Sequence, residues 1–401
     1  MGEKKAIQTD KRWSIISLAS VPLIMTLGNS MLIPILPMME KELDISKLQS
    51  SYIITVYSVV AIFFIPLAGY LSDRFGRKRI IVPALILTGI GGLIAGFASW
   101  KMDNPFMMII HGRILQGIGA SGAMPIVLPL VGDMFRSDQE ASTTLGIIET
   151  SNTVGKVLSP ILGALLAAII WFMPFFSIPV FCAISTLLIV FLIKSNNEDE
   201  ASDISLKKYW GMVKSVFKEH VKWLIAVFII GAILMFILFG FLFYLSSILE
   251  DDYKFEGVLK GLLLAIPLLA LSLASYIAGK KIKDSLVVMK WVTFIGIVIA
   301  GGSVALIPFL KTPIYLLSIF FVCGIGIGIA LPSLDALITK SLDKNVRGSI
   351  TSIYSAMRFI GVAAGPPVIA ILMKFNSSWL ASMLTIFALS AGWLAFKNID
   401  P

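Results

Sequence analysis

The sequence predicts an all-α membrane protein of twelve transmembrane helices, arranged as two pseudo-symmetric six-helix bundles. Three observations predict it. The 401-residue chain is 57% hydrophobic and 14% charged, with a mean hydropathy of +0.90, where a soluble domain is about 45–50% apolar and about 25% charged. Apolar runs of spanning length follow one another along the chain, with one long polar connection in the middle. Glycine and proline patterns of the first half also recur in the second.

In chain order the apolar runs predict spans near 13–37, 49–71, 80–100, 106–132, 144–170, 172–194, 223–249, 257–279, 288–308, 314–340, 348–372 and 379–397. The tightest divide is around Trp171–Pro174, where two spans meet in a very short turn. The polar basic start precedes an apolar run without a small-residue cleavage site, which reads as a retained first helix rather than a signal peptide. The long connection divides the chain into an N-terminal bundle (1–194), a linker (195–222) and a C-terminal bundle (223–401). The second part of the linker is expected to form an amphipathic surface helix, with Tyr209, Met212, Val213, Val216 and Phe217 on one side and lysines on the other.

Two pattern matches carry the internal repeat. Gly155-x3-Ser159-Pro160 in the fifth span matches Gly361-x3-Gly365-Pro366 in the eleventh. Gly117-x-Gly119 and Pro125 in the fourth match Gly324-x-Gly326 and Pro332 in the tenth, at almost the same offset. Duplicated halves of this kind place a site near the membrane midplane, between them.

Lysine and arginine placement sets the orientation. With the N-terminus inside, 23 of the 33 fall in inner segments, 7 in outer loops and three within spans. Both termini are therefore expected in the cytoplasm. The net charge of +9 sits in loops, so it reads as topology and not as a nucleic-acid surface. Two histidines, His111 and His220, and two cysteines, Cys182 and Cys323, offer neither a metal site nor a disulfide framework. No nucleophile–base pair or phosphate-cradling loop supports an enzyme.

The loop after the second span reads Gly69-Tyr-Leu-Ser-Asp73-Arg74-Phe-Gly76-Arg77-Lys78-Arg79. It resembles the signature loop of the major facilitator superfamily, G-x-x-x-D-R-x-G-R-[RK], at every fixed position and in the same place between spans two and three. Gly69 allows close helix approach, Asp73 can pair with an arginine at a helix end, and Gly76 permits the tight turn. The resemblance implies the major facilitator fold. It also implies that this loop latches the halves in the outward-facing state, with Asp133 as the expected partner of Arg77.

Arg113-x-x-Gln116-Gly117-x-Gly119 in span four looks like the R-x-x-Q-G-x-G motif of proton-coupled members, which implies a role for Arg113 in coupling. An arginine within a span costs roughly 2.5–3.5 kcal/mol on insertion scales, so it is expected to face the cavity. Gly146-x8-Gly155-x3-Ser159-Pro160-x2-Gly163-Ala164 in span five resembles the antiporter motif G-x8-G-x3-G-P-x2-G-G, which marks exporters. Ser159 and Ala164 depart from it, and both are small enough to keep close packing possible.

Span five also carries Glu149, Asn152 and Lys156 on one helix face. At about 1.5 Å per residue, Arg113, Lys156 and Arg358 all reach the midplane, with Glu149 the nearest acid and Asp335 nearer the inner end of span ten. Span one has no acid and offers Asn29. The expected cavity is therefore cationic, suited to an anionic or zwitterionic amphiphile such as a siderophore or an acidic antibiotic. Glu149, beside Arg113 or Lys156, is expected to trade an ion pair for a proton.

The resemblance implies proton-coupled efflux of a small amphiphilic drug or metabolite, in the multidrug-resistance manner, by a monomer in a bacterial plasma membrane. It needs no cofactor beyond the proton, and its partners are the bilayer and a small-molecule substrate, with no nucleic acid. Three alternatives share the fold: an exporter of an anionic metabolite, a lipid-linked saccharide flippase and a small-nutrient importer.

Overall fold

The computed structural model describes residues 2–135, 138–193, 206–281, 285–309, 312–342 and 344–399. Twelve of its helices are long and apolar enough to cross a membrane. In order the spans lie in Lys11–Leu43, Lys47–Phe75, Arg77–Lys101, Phe106–Met134, Thr143–Ile169, Met173–Leu192, Val221–Asp251, Gly257–Lys281, Leu286–Ala305, Pro313–Ser341, Ile350–Leu372 and Ser377–Asn398. No strand occurs among the described residues. In a medium without water, helices satisfy every backbone N–H and C=O within one segment.

Local chemistry sets the breaks. The first span is helical to Ser30, turns through a short 3-10 segment at Ile33–Ile35, and resumes as Leu36–Leu43. Asp44, in the left-handed region at φ 50°, ends it. Ser46 and Gln49 form a reciprocal capping box that starts the second span. The second and third spans are separated by Gly76 alone, at φ 95°, a conformation that glycine adopts without steric cost. The expected short turn near Trp171 falls between helices ending at Ile169 and starting at Met173.

One expectation is corrected. The second part of the linker is not a separate surface helix: Leu206–Asp251 is one continuous helix that runs into the seventh span. Nothing interrupts it, because 206–222 contains no proline and its one glycine, Gly211, is tolerated in a helix. The side chains of the expected apolar face and residues 195–205 lie outside the described residues.

Spans one to six pack among themselves, as do spans seven to twelve, and two main seams join the halves. Span two packs on span eleven, and span five on span eight. Adding six to each number exchanges the two seams, as duplication requires. The repeat is equally visible in the close contacts. A Cβ built on Gly117 would meet the carbonyl oxygen of Tyr57 in span two at 2.5 Å, and one on Gly324 would meet that of Pro267 in span eight at 2.3 Å. Gly155 faces Leu23 O in span one, and Gly361 faces Ala232 O in span seven. With twelve spans, both termini lie at one end of the bundle. That end carries Gly76; the opposite, far end carries Asp44.

Candidate functional site: a charge cluster between the halves

Four ionisable side chains face one another across the middle of the molecule. Glu149 and Lys156 come from span five, Asp335 from span ten and Arg358 from span eleven. Lys156 lies within electrostatic reach of Glu149, Arg358 and Asp335, and Arg358 within reach of Glu149. Arg358 Nη1 donates to Asp335 Oδ1 at 3.4 Å. The Tyr354 ring lies 5.6 Å from the Arg358 guanidinium, and its hydroxyl sits beside the Asp335 carboxylate without a well-formed hydrogen bond. Glu149 is exposed and the Asp335 side chain is 43% exposed, so water reaches both acids.

Asn152 Nδ2 donates to both Glu149 oxygens, at 3.2 and 3.4 Å. Its own Oδ1 accepts from Thr26 Oγ1 of span one at 2.6 Å. One turn further along span one, Asn29 Oδ1 accepts from Arg113 Nη2 at 2.6 Å. A polar path thus runs from Glu149 through span one to Arg113.

Two expectations are overturned. Arg113 does not face the cavity and has no ion pair with Glu149. It is fully buried in the N-terminal half. Nε donates to Ile53 O at 2.7 Å, Nη1 to Gln116 Oε1 at 2.5 Å, and the guanidinium lies 4.5 Å from the Tyr57 ring centroid. All these partners are neutral, and together they replace the solvation that a cavity would have supplied. The cluster is also not a purely cationic site, because Asp335 partners Arg358 and Glu149 shares a helix face with Lys156, within its electrostatic reach. The sequence placed Asp335 near the end of its span; the approach of spans ten and eleven brings it to Arg358.

The antiporter-like segment of span five does two packing jobs. Gly155 and Gly163 let span one approach: built Cβ atoms would lie 3.1 Å from Leu23 O and 2.0 Å from Met31 O. Toward the other half, Pro160 O and Ala164 Cβ press against Gly261 of span eight. Pro160 has no N–H, so the Lys156 carbonyl loses its normal helical donor. The Ser159 hydroxyl fills that place, donating to Lys156 O at 2.9 Å. The serine departure from the glycine pattern therefore has a local purpose. Gly146 is the exception, since nothing lies within 4 Å of a Cβ built on it; it is not a packing residue.

At the end carrying the termini, Arg77 pairs with Asp73, its Nε donates to Asp133 Oδ2 at 3.2 Å, and its Nη1 donates to Ser72 Oγ at 2.7 Å. Arg74 instead reaches Tyr70 Oη at 3.4 Å and stacks on Phe75. Gly69 faces Ser352 of span eleven across the seam, 3.4 Å from a built Cβ to Oγ.

Sequence reasoning missed a second ionic group, at the far end. Glu250 and Lys260, both buried, pair at 2.5 Å. Lys41 of the other half reaches Glu250 at 2.7 Å, and Lys47 reaches Asp251 at 2.6 Å. Ser246 Oγ also donates to Ile33 O across the halves, at 2.9 Å. Lys41, Lys47 and Ser246 thereby tie the two halves together at the far end. The available signal was complementary charge, with lysines at the far ends of the first two spans and an acidic run closing the seventh.

Comparison with known proteins follows the same lines. The profile described as Major Facilitator Superfamily matches residues 18–366. The "Bacillibactin exporter" of Bacillus subtilis (strain 168) is 55% identical over 375 residues, covering 93% of each chain. The class C "Tetracycline resistance protein" of Escherichia coli is 24% identical over 367 residues, covering 88% of each. Among solved structures, the human organic anion transporter MFSD10 (TETRAN) superposes with a TM-score of 0.75 at 16% identity, covering 96% of this chain and 99% of that one; this likeness concerns the fold alone.

Proposed function

The chain belongs to the major facilitator superfamily, and from that premise we propose that it exports a small anionic amphiphile, a siderophore of the bacillibactin kind, in exchange for protons. It is a multi-pass membrane transporter and not an enzyme. The observation that carries the mechanism is the charge cluster shared by the two halves. Glu149 and Lys156 move with one half, Asp335 and Arg358 with the other. Rocking the halves about the cluster changes which charges face one another, which is what alternating access requires. Likeness to the Bacillus subtilis exporter over 93% of both chains supports the direction and the cargo class.

In this reading the termini lie in the cytoplasm, and the structure is the state that loads cargo from inside, sealed at the far end by the Lys41–Glu250 and Lys47–Asp251 pairs. Glu149 carries the proton. Held by Asn152 and reached by water, it gives up its attraction to Lys156 when protonated. Export then quickens as the external pH falls at constant internal pH.

The test is export of bacillibactin from cells that make it but lack their own exporter. Expressing this protein should restore secretion. Glu149→Gln should lower pH-driven export by roughly tenfold or more, within the usual range of coupling between two sites. Full pH-driven export by Glu149→Gln would end the proton role. Robust ethidium efflux without bacillibactin secretion would end the cargo reading.

A further inference from the structure

We propose that Arg113 and Gln116 form a subsite for an anionic oxygen, and that the cargo itself supplies the counter-charge that Arg113 lacks. This rests on the export reading above and names the feature of the cargo that is recognised.

A guanidinium has five N–H donors and no acceptor. Arg113 spends one from Nε on Ile53 O, one from Nη1 on Gln116 Oε1 and one from Nη2 on Asn29 Oδ1, which leaves two. Gln116 Nε2 is buried and has no acceptor at all. Turning the amide round would not help, because it would set an NH2 group against the guanidinium. The surroundings are thus rich in donors, short of acceptors and positively charged. Among the described residues no carboxylate pairs with Arg113, which is wholly buried. An unpaired buried charge is among the most costly features a membrane protein can hold, and such residues ordinarily mark a ligand or ion site. Neutral acceptors hold the guanidinium in place and leave its charge uncancelled.

A route to the site is built into the seam. The Tyr57 ring covers the guanidinium at 4.5 Å and faces Phe359 of span eleven, 6.3 Å away. Span two and span eleven belong to opposite halves, so moving the halves withdraws Phe359 from Tyr57. The entry is therefore aromatic on both sides and ends on a cation. That suits a carboxylate or phenolate carried on an aromatic ring.

Asn29→Asp is the decisive variant. It replaces the amide nitrogen Nδ2 by oxygen, in a side chain whose Oδ1 already accepts from Arg113 Nη2 at 2.6 Å, and gives Arg113 an internal counter-charge. The probes are salicylate and its neutral amide, salicylamide, added to the purified full-length protein in detergent. Salicylate should raise the unfolding temperature of the wild type by a few degrees and salicylamide should not. Asn29→Asp should unfold at or above the wild-type temperature without ligand and should no longer respond to salicylate. Gln116→Leu should show a reduced response. In cells, Asn29→Asp should raise the KM for the exported anion by a factor on the order of ten. Equal stabilisation of wild type and Asn29→Asp by salicylate, or no stabilisation of the wild type, overturns the subsite. Binding and export fail separately: a wild type that binds salicylate in the Asn29-sensitive way yet secretes nothing overturns the export reading and keeps the subsite.

Discussion

Glu250→Gln should destabilise the protein by about 3–5 kcal/mol, the cost of removing one partner from a buried ion pair. Glu250 and Lys260 have side chains 5% and 3% exposed, and they pair at 2.5 Å. Without the carboxylate, the Lys260 ammonium stays in a buried setting with its main partner gone. Lys41 is a useful contrast, because its side chain is 59% exposed. Lys41→Ala should therefore cost less than about 1 kcal/mol, as for exposed pairs. Thermal unfolding of the purified variants checks both. Replacing Glu250 and Lys260 together by Met should recover most of the loss, since a buried pair can be exchanged for apolar packing at little cost.

The same residues separate stability from conformation. Lys41 and Lys47 reach acids of the opposite half, whereas Glu250 and Lys260 lie in the same half. Lys41→Ala/Lys47→Ala should leave unfolding nearly unchanged while shifting the population toward an open far end. Spin labels at the far ends of spans one and seven would report longer distances. An unchanged distance distribution would show that the pairs do not hold that end shut.

The second large effect is expected at Gly163. Gly163→Ala should cost about 3 kcal/mol or more, at the upper end of overpacking losses. The new Cβ would lie 2.0 Å from the Met31 carbonyl oxygen. That atom is backbone, at the point where the first span breaks, so no rotamer change relieves the contact. Gly146 belongs to the same sequence pattern and should behave in the opposite way. With open space around it, Gly146→Ala should stabilise the helix by about 0.5–1 kcal/mol through reduced chain entropy. Unfolding temperatures moving in opposite directions would confirm that one pattern contains two kinds of glycine. A large loss at Gly146 would refute the division.

That contrast shows how much of the site was legible. The spacing from Gly146 to Gly163 picked out a helix that packs closely, and Gly155 and Gly163 do so. Spacing alone could not say which glycine faces a neighbour, because that depends on where span one crosses. Ser159 looked like a lapse from the pattern and is instead the donor for the carbonyl that Pro160 leaves unpaired. Glu149 and Asn152 were placed together correctly because they share one helix, where geometry follows from sequence separation.

The sequence by itself determined the number of spans, the breaks between them, the internal repeat and the family. Each is a local property: lipid demands apolar runs of fixed length, and turns demand particular residues, so both can be read along the chain. The tertiary structure alone decided which intramembrane charges meet. Asn29 and Arg113 are 84 residues apart, and Lys41 and Glu250 are 209 apart. Their meeting depends on how far each helix is rotated and shifted against its neighbours, and side-chain packing across many helices sets that. It left Arg113 among neutral partners, gave Asp335 to Arg358, and made of Lys41, Lys47, Glu250 and Lys260 a seal where the sequence showed only loop charges and a span end.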